Sequence, residues 1–151
     1  MITSEIKKAI DDSVLCWLAT SSLDGIPNVS PKEVFCEYGE MMILVANIAS
    51  PQTVRNIKVN KNVCISFVDI LVQKGFQVKG LAYIIKKNNP EFEVLSKPLL
   101  EITQGKYPFS TLTKIEVESV KPIIAPSYKL FPEMSIEDRV NSARKIYGLT
   151  E

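Results

Sequence analysis

Histidine is absent from all 151 residues. That removes Ser-His-Asp and Cys-His nucleophilic catalysis, His-ligated zinc or haem, and the usual general base near neutral pH. Cysteine is scarce. The three at 16, 36 and 64 make an odd set without CxxC spacing, which argues against a disulfide framework or a thiolate metal cluster. Their apolar neighbours, as in Leu15-Cys16-Trp17 and Val63-Cys64-Ile65, read as buried free thiols suited to a reducing compartment. A charge excess is lacking too: 18 basic residues face 17 acidic ones, for a net charge of +1. Nucleic-acid binders and polybasic membrane binders need a stronger field than that. No apolar run approaches the roughly 20 residues of a membrane span. Met1 to Asp12 carries Glu5, Lys7, Lys8 and two aspartates where a signal peptide needs an apolar stretch. The expected setting is the cytoplasm, with a small molecule as partner and neither nucleic acid nor membrane.

What the chain does have is apolar mass, 46% against 23% charged residues, enough for one domain spanning 1–151 with its own core. Internal repeats and low-complexity linkers are missing. Thr3 or Ser4 caps a first helix with Ile6, Ala9 and Ile10 on one face. Val14 to Thr20 then runs as continuous apolar sequence, a strand expected to be buried on both faces, with Trp17 in the core. After the Ser21 to Gly25 turn, Asn28 to Glu37 reads as a second strand in which Pro31 marks an edge or a bulge. Met41 to Asn47 is a third, and its paired methionines read as core rather than as a soft-metal site.

Ser50-Pro51 provides a serine N-cap and a proline at the first position of a helix of about two turns, with Val54 and Ile57 facing inward. Val63 to Val68 and Phe76 to Lys86 follow as strands. A helix opened by Asn89-Pro90 carries Phe92, Leu95, Leu99 and Ile102, should kink at Pro98 and should end at Gly105. Leu112 to Ser119 is the last strand, and Pro122 to Pro132 reads as irregular. Ser135 and Asp138 form a capping box for a terminal helix at about 135–147 with Ile136, Val140, Ala143 and Tyr147 on one face, stopped by Gly148. Six strands with few helices between them predict a mainly β fold, a small antiparallel barrel that closes its edges with helices outside or at its ends.

Two segments carry chemical information. Asn47 to Thr53 delivers a strand end into a helix N-terminus, where free backbone N–H groups and the helix dipole seat phosphate, with Ser50 and Thr53 adding hydroxyls and Arg55 or Lys58 close by. The same residues also suit an ordinary capped surface helix. In Asn28-Val29-Ser30-Pro31-Lys32 the alternate residues Asn28, Ser30 and Lys32 share one strand face, either a binding face or a solvated one. Elsewhere Lys7-Lys8 and Lys86-Lys87 read as solvated surface. Glu116 and Glu118 share a face without a second carboxylate group for hydrolysis. No catalytic side chain and no metal ligand set stands out.

Taken in order, DGIPNVSPK, ANIASPQTVRNI, Asn62-Val63 and Val78-Lys79-Gly80 leading into PEFEVL resemble the FMN-binding split barrels related to pyridoxamine 5′-phosphate oxidase, over about Val14 to Val120. The resemblance implies a six-stranded split barrel and a homodimer that holds FMN at the subunit interface. By position, Asn28, Val29, Ser30, Pro31 and Lys32 would line the flavin ring and ribityl chain, and Ala46 and Asn47 would approach them. Ser50, Gln52 and Thr53 would hold the phosphate, and partner-chain contacts would come from the region of Gln73, Lys74 and Gln77. Pro51-Gln52 stands where the true oxidases carry basic residues. The C-terminal APSYKLFPEMSIEDR has no counterpart to their basic and histidine substrate residues, so pyridoxamine oxidation is not expected. The likeness is to small flavoredoxin-like members, and the implied activity is that of an FMN-dependent oxidoreductase or electron carrier with an unidentified small-molecule substrate or electron donor. The alternatives are a non-catalytic flavin- or haem-binding sensor or storage protein, and a cofactor-free interaction barrel.

Overall fold

Alternation between covered and open positions organises one antiparallel sheet in this computed structural model, which describes residues 1–149. Its strands are β1 (Cys16–Ser21), β2 (Pro27–Lys32), β3 (Phe35–Tyr38), β4 (Met42–Ala46), β5 (Asn62–Asp69), β6 (Lys74–Lys86) and β7 (Thr111–Ile124). They lie in the order β2-β1-β5-β6-β7-β4-β3, curled into the half-closed form of a split barrel. The helices are α1 (Ser4–Asp12), α2 (Pro51–Val59), α3 (Phe92–Thr103), α4 (Ser127–Leu130) and α5 (Ile136–Ile146). None of them is long and apolar enough to cross a membrane.

The sheet has seven strands where six were expected, because Asn28 to Glu37 is two strands. Glu33 and Val34 turn a corner, so β2 pairs with β1 while β3 pairs with β4 at the opposite edge. The split of the barrel is therefore bridged by chain continuity between its two edge strands. Pro31 sits on the edge strand β2, where a missing N–H costs no ladder bond. β7 runs to Ile124, five residues past its expected end, since Val120 to Ile124 stay paired with β6.

The inner face packs Leu18, Phe67, Ile65, Val78, Ile43 and Ile115, and α1 closes one end by inserting Ile6 and Ile10. β4 is covered on both sides, because Leu44 and Ala46 turn the other way into a second cluster with Leu95 and Leu99 of α3. The expected cap of α1 forms, with Thr3 Oγ1 accepting from the Ile6 amide at 3.4 Å, and Ser135 caps α5 through the Asp138 amide at 3.0 Å. Pro98 lies within α3, which continues to Thr103 and ends at Gln104 in the left-handed region.

Other expectations are corrected. β1 is covered on one face only: Trp17 is 49% exposed and Val14 is open as well. Met41 is exposed. In α5 the covered residues are Arg139 and Ala143, whereas Ile136 and Tyr147 are exposed. In α2 the inward residues are Thr53, Asn56 and Ile57, with Val54 only half-buried.

Gly80 marks a register shift between β6 and β7. A Cβ there would stand 2.0 Å from the Glu116 carbonyl oxygen, a backbone atom that cannot swing away. Gly80→Ala is expected to cost about 1–3 kcal/mol or more through forced strand separation. A denaturation midpoint equal to the parent's would refute this.

Candidate functional site

Residues 18 positions apart meet at the open edge of the sheet. In β2, Asn28, Ser30 and Lys32 stand opposite Thr20, Leu18 and Cys16 of β1, all three buried, so this polar row lies on the core side of the strand. Lys32 is only 5% exposed. Its Nζ donates to Ser30 Oγ at 2.7 Å and to Ser50 Oγ at the entry to α2. No carboxylate stands within ion-pair distance of it among the described residues. Burial pushes the Lys32 pKa below the usual lysine value, with Cys16 acting in the opposite direction. Burial likewise pushes the Cys16 thiol up to about 12, an effect that Lys32 partly offsets. Cys16 is therefore a protonated core thiol and no nucleophile.

Ser50 does not cap α2, contrary to the expectation from Ser50-Pro51. Ala49 adopts φ 51°, a left-handed conformation that costs a non-glycine residue free energy. Ser50 follows at φ −125°, ψ 56° without a side-chain bond to the helix. Its hydroxyl donates instead to the Ile48 carbonyl at 3.1 Å and accepts from Lys32. The first turn of α2 is left with amides that no side chain caps, next to a buried ammonium group. Both attract an anion.

α2 is held in place by a chain of side-chain bonds. Arg55 donates to Gln52 at 2.8 Å, Gln52 to Asn56 at 2.8 Å, and Asn56 to Thr20 of β1 at 3.0 Å. Arg55 is thereby directed at Gln52. Thr53 is 1% exposed and faces the sheet. Asn47 is bound to β7, donating to Thr111 Oγ1 at 3.2 Å and accepting from Thr113 at 2.9 Å. Beside Lys32 lies a cleft of about 270 Å³ lined by Pro31, Lys32, Glu33, Val34, Ala46, Ile48 and Tyr107.

The outer face of the sheet carries its own row. Pro31, Trp17, Ser66 and Gln77 are successive register partners across β2, β1, β5 and β6, with exposed Val29 beside them. Lys74 lies elsewhere, its ammonium 4.4 Å from the centre of the Tyr128 ring.

The fold thus brings Ser30, Lys32 and Ser50 into one bonded group, with Ala46 and Pro31 at the adjoining cleft. It places Val29 and Gln77 on the outer face, Thr53 inward and Asn47 against β7. Tyr107 and the turn at Ala49 were not singled out from the sequence. Tyr107 stands in a loop without periodicity, and only the backbone reveals a left-handed alanine. No group of three or more Cys, Asp or Glu side chains able to hold a metal occurs among the described residues.

The family model described as pyridoxamine 5′-phosphate oxidase matches residues 2–124. The chain belongs to the pyridoxamine 5′-phosphate oxidase family. Among solved structures it is similar to HupZ of Group A Streptococcus, at 27% identity and a TM-score of 0.70, over 82% of this chain and 100% of that one. It shares its fold with an FMN-binding protein from Syntrophomonas wolfei, at 15% identity and a TM-score of 0.65, over 82% of this chain and 87% of that one. The same holds for HutZ, the heme storage protein of Vibrio cholerae, at 21% identity and a TM-score of 0.61, over 82% and 94% of the two chains. No curated protein matches the chain.

Proposed function

We propose that this member of the pyridoxamine 5′-phosphate oxidase family is an FMN-binding flavoprotein that works as a homodimer, an oxidoreductase or electron carrier and not a pyridoxamine oxidase. One observation carries the reading. A buried lysine with no anionic partner within its own chain is costly unless an anion completes it, and Lys32 lies at a helix entry whose amides lack a cap. A terminal phosphate fits this group. Lys32 supplies charge, Ser30 and Ser50 supply hydroxyls, and the first-turn amides around Gln52 and Thr53 supply further donors. Pro31, Ala46, Ile48 and Tyr107 offer apolar and aromatic surface for a planar ring.

The cleft of about 270 Å³ lies at the lower edge of the roughly 300–1,000 Å³ of sites that enclose a small molecule, and a second protomer docked over it would cover the flavin. When bound, the flavin supplies hydride or electron transfer, and the protein supplies binding and orientation. A haem-storage reading draws on the fold shared with HutZ. It has no histidine to serve as an axial ligand, whereas the anion seat matches a phosphate ester.

The test is the absorption spectrum of the purified protein, followed by titration with FMN, FAD and haemin. Flavin bands, or quenching of FMN fluorescence with FMN preferred to FAD, are expected. A protein that ignores FMN and takes up haemin with a sharp Soret band would overturn the proposal.

A further inference from the structure

Residues 125–149 lie beyond the segment that the family model matches, and they fold over the turn between β5 and β6. The Ala125 amide donates to the Gln73 carbonyl at 3.1 Å, and the Tyr128 hydroxyl donates to the Val72 carbonyl at 2.7 Å. Arg139 of α5 stacks on the other end of this contact, its guanidinium carbon 4.0 Å from the centre of the Tyr128 ring. Ala125 and Tyr128 thus hold the appendage on the turn, and Arg139 ties α5 to α4.

That arginine is only 6% exposed, and no carboxylate lies in ion-pair range of it among the described residues. Of its five N–H donors, one Nη1 proton goes to Ser127 Oγ at 3.0 Å, and Nη2 donates to the carbonyls of Ser127 at 3.4 Å and Phe131 at 2.6 Å. Nε has no acceptor. None of the accepting atoms carries a formal charge, so a buried cation is left without its counter-ion. Arg139 also lines a cavity of about 660 Å³, well within the range of small-molecule sites.

The remaining walls define what enters. Phe131, Met134 and Ile146 are apolar, while Glu133 and Asp138, both exposed, contribute two carboxylates. A simple anion would face two carboxylates there, and a simple cation would face Arg139. A neutral guest leaves the arginine unpaired. We infer that this cavity binds a small zwitterion of the amino-acid type with an apolar side chain. Its carboxylate completes Arg139, its ammonium faces Glu133 and Asp138, and its side chain packs on Phe131, Met134 and Ile146. The site is separate from the anion seat at Lys32 and does not rest on flavin binding.

The experiment titrates the full-length protein, as purified, with L-phenylalanine, following the arginine Nε–H signals by ¹H–¹⁵N NMR. 3-Phenylpropanoate and phenethylamine, each lacking one of the two charges, are the controls. L-phenylalanine is expected to bind about ten-fold or more tightly than either control, one charged contact's worth, and to shift the Arg139 Nε–H resonance. Arg139→Gln should abolish binding. Because that change also unties α5 from α4, Glu133→Gln, at an exposed position, is the second variant, and it should narrow the preference for phenylalanine over phenylpropanoate. Equal binding of the three compounds, an Arg139 signal unmoved at millimolar phenylalanine, or an unchanged preference in Glu133→Gln would overturn the inference.

Discussion

Lys32→Met is expected to raise the stability of the ligand-free protein while lowering its affinity for FMN by about 10- to 100-fold. The affinity loss follows from the charged hydrogen bond that a phosphate would form with Lys32, worth about 1.5–3 kcal/mol. The gain in stability has the opposite origin. An ammonium group that is 5% exposed, hydrogen-bonded to two hydroxyls and faced by no carboxylate has given up its hydration for neutral partners. A methionine of similar length spares that cost, and such replacements are often neutral or stabilising by about 1–4 kcal/mol. A purely structural lysine would behave differently: its loss would lower the midpoint of urea unfolding and leave FMN binding intact. Opposed changes in the two measurements are the signature of a residue kept for its ligand.

The same lysine sets a pH dependence. Its folded-state pKa lies below the ordinary 10.5 because of burial, so between that lowered value and 10.5 the unfolded chain binds more protons than the folded one. The Lys32 contribution to stability therefore rises with pH across this window, and the cost of holding it charged applies in full below it, whereas above about pH 9 the buried thiols of Cys16 and Cys36, both pushed up to about 12, act in the opposite direction. Lys32→Met should remove the lysine's contribution and leave that of the thiols. A bound phosphate favours the charged form, so FMN binding above the lowered pKa takes up a proton and weakens as pH rises. Comparing unfolding curves of parent and variant at neutral and alkaline pH checks the first statement, and FMN titration over the same range checks the second.

How far the sequence disclosed this arrangement depends on whether each feature is local. The caps at Thr3 and Ser135 were legible, because a capping side chain and its amide lie three residues apart. The alternation in β5 and the face formed by Asn28, Ser30 and Lys32 were legible for the same reason. Ser50 was misread because its local signature, a serine before proline, was overridden by a lysine 18 residues earlier in the chain. The break at Glu33-Val34 carries no glycine or asparagine to announce it. It exists because the chain has to pass from one edge of the sheet to the other. Arg139 escaped notice because helical periodicity favours Ile136, Val140, Ala143 and Tyr147, whereas its burial comes from an aromatic ring and two carbonyls outside the helix. Trp17 was placed in the core because six apolar residues in a row, Val14 to Ala19, look two-sided, and the sheet covers only one of the two faces.

That uncovered face is the basis of the remaining expectation: Trp17→Asp should turn the proposed dimer into a monomer and weaken FMN binding by about 30-fold or more, the loss of one interface anchor worth at least 2 kcal/mol. Trp17 sits mid-row between Pro31 and Ser66, with Gln77 next in line, and the same edge strand turns Lys32 and Ser30 to its other side. A partner docked over this row would therefore reach the rim of the cleft at Pro31 and close the side that one protomer leaves open. The variant should still fold, since an indole 49% exposed contributes little to the core of an isolated protomer, and its circular dichroism should match the parent's. Sedimentation velocity and FMN titration, run on the same samples, separate the outcomes. Loss of dimer with loss of FMN supports a shared site. A monomer that keeps full FMN affinity would show that one chain suffices, and a dimer that persists would place the interface on another face of the barrel.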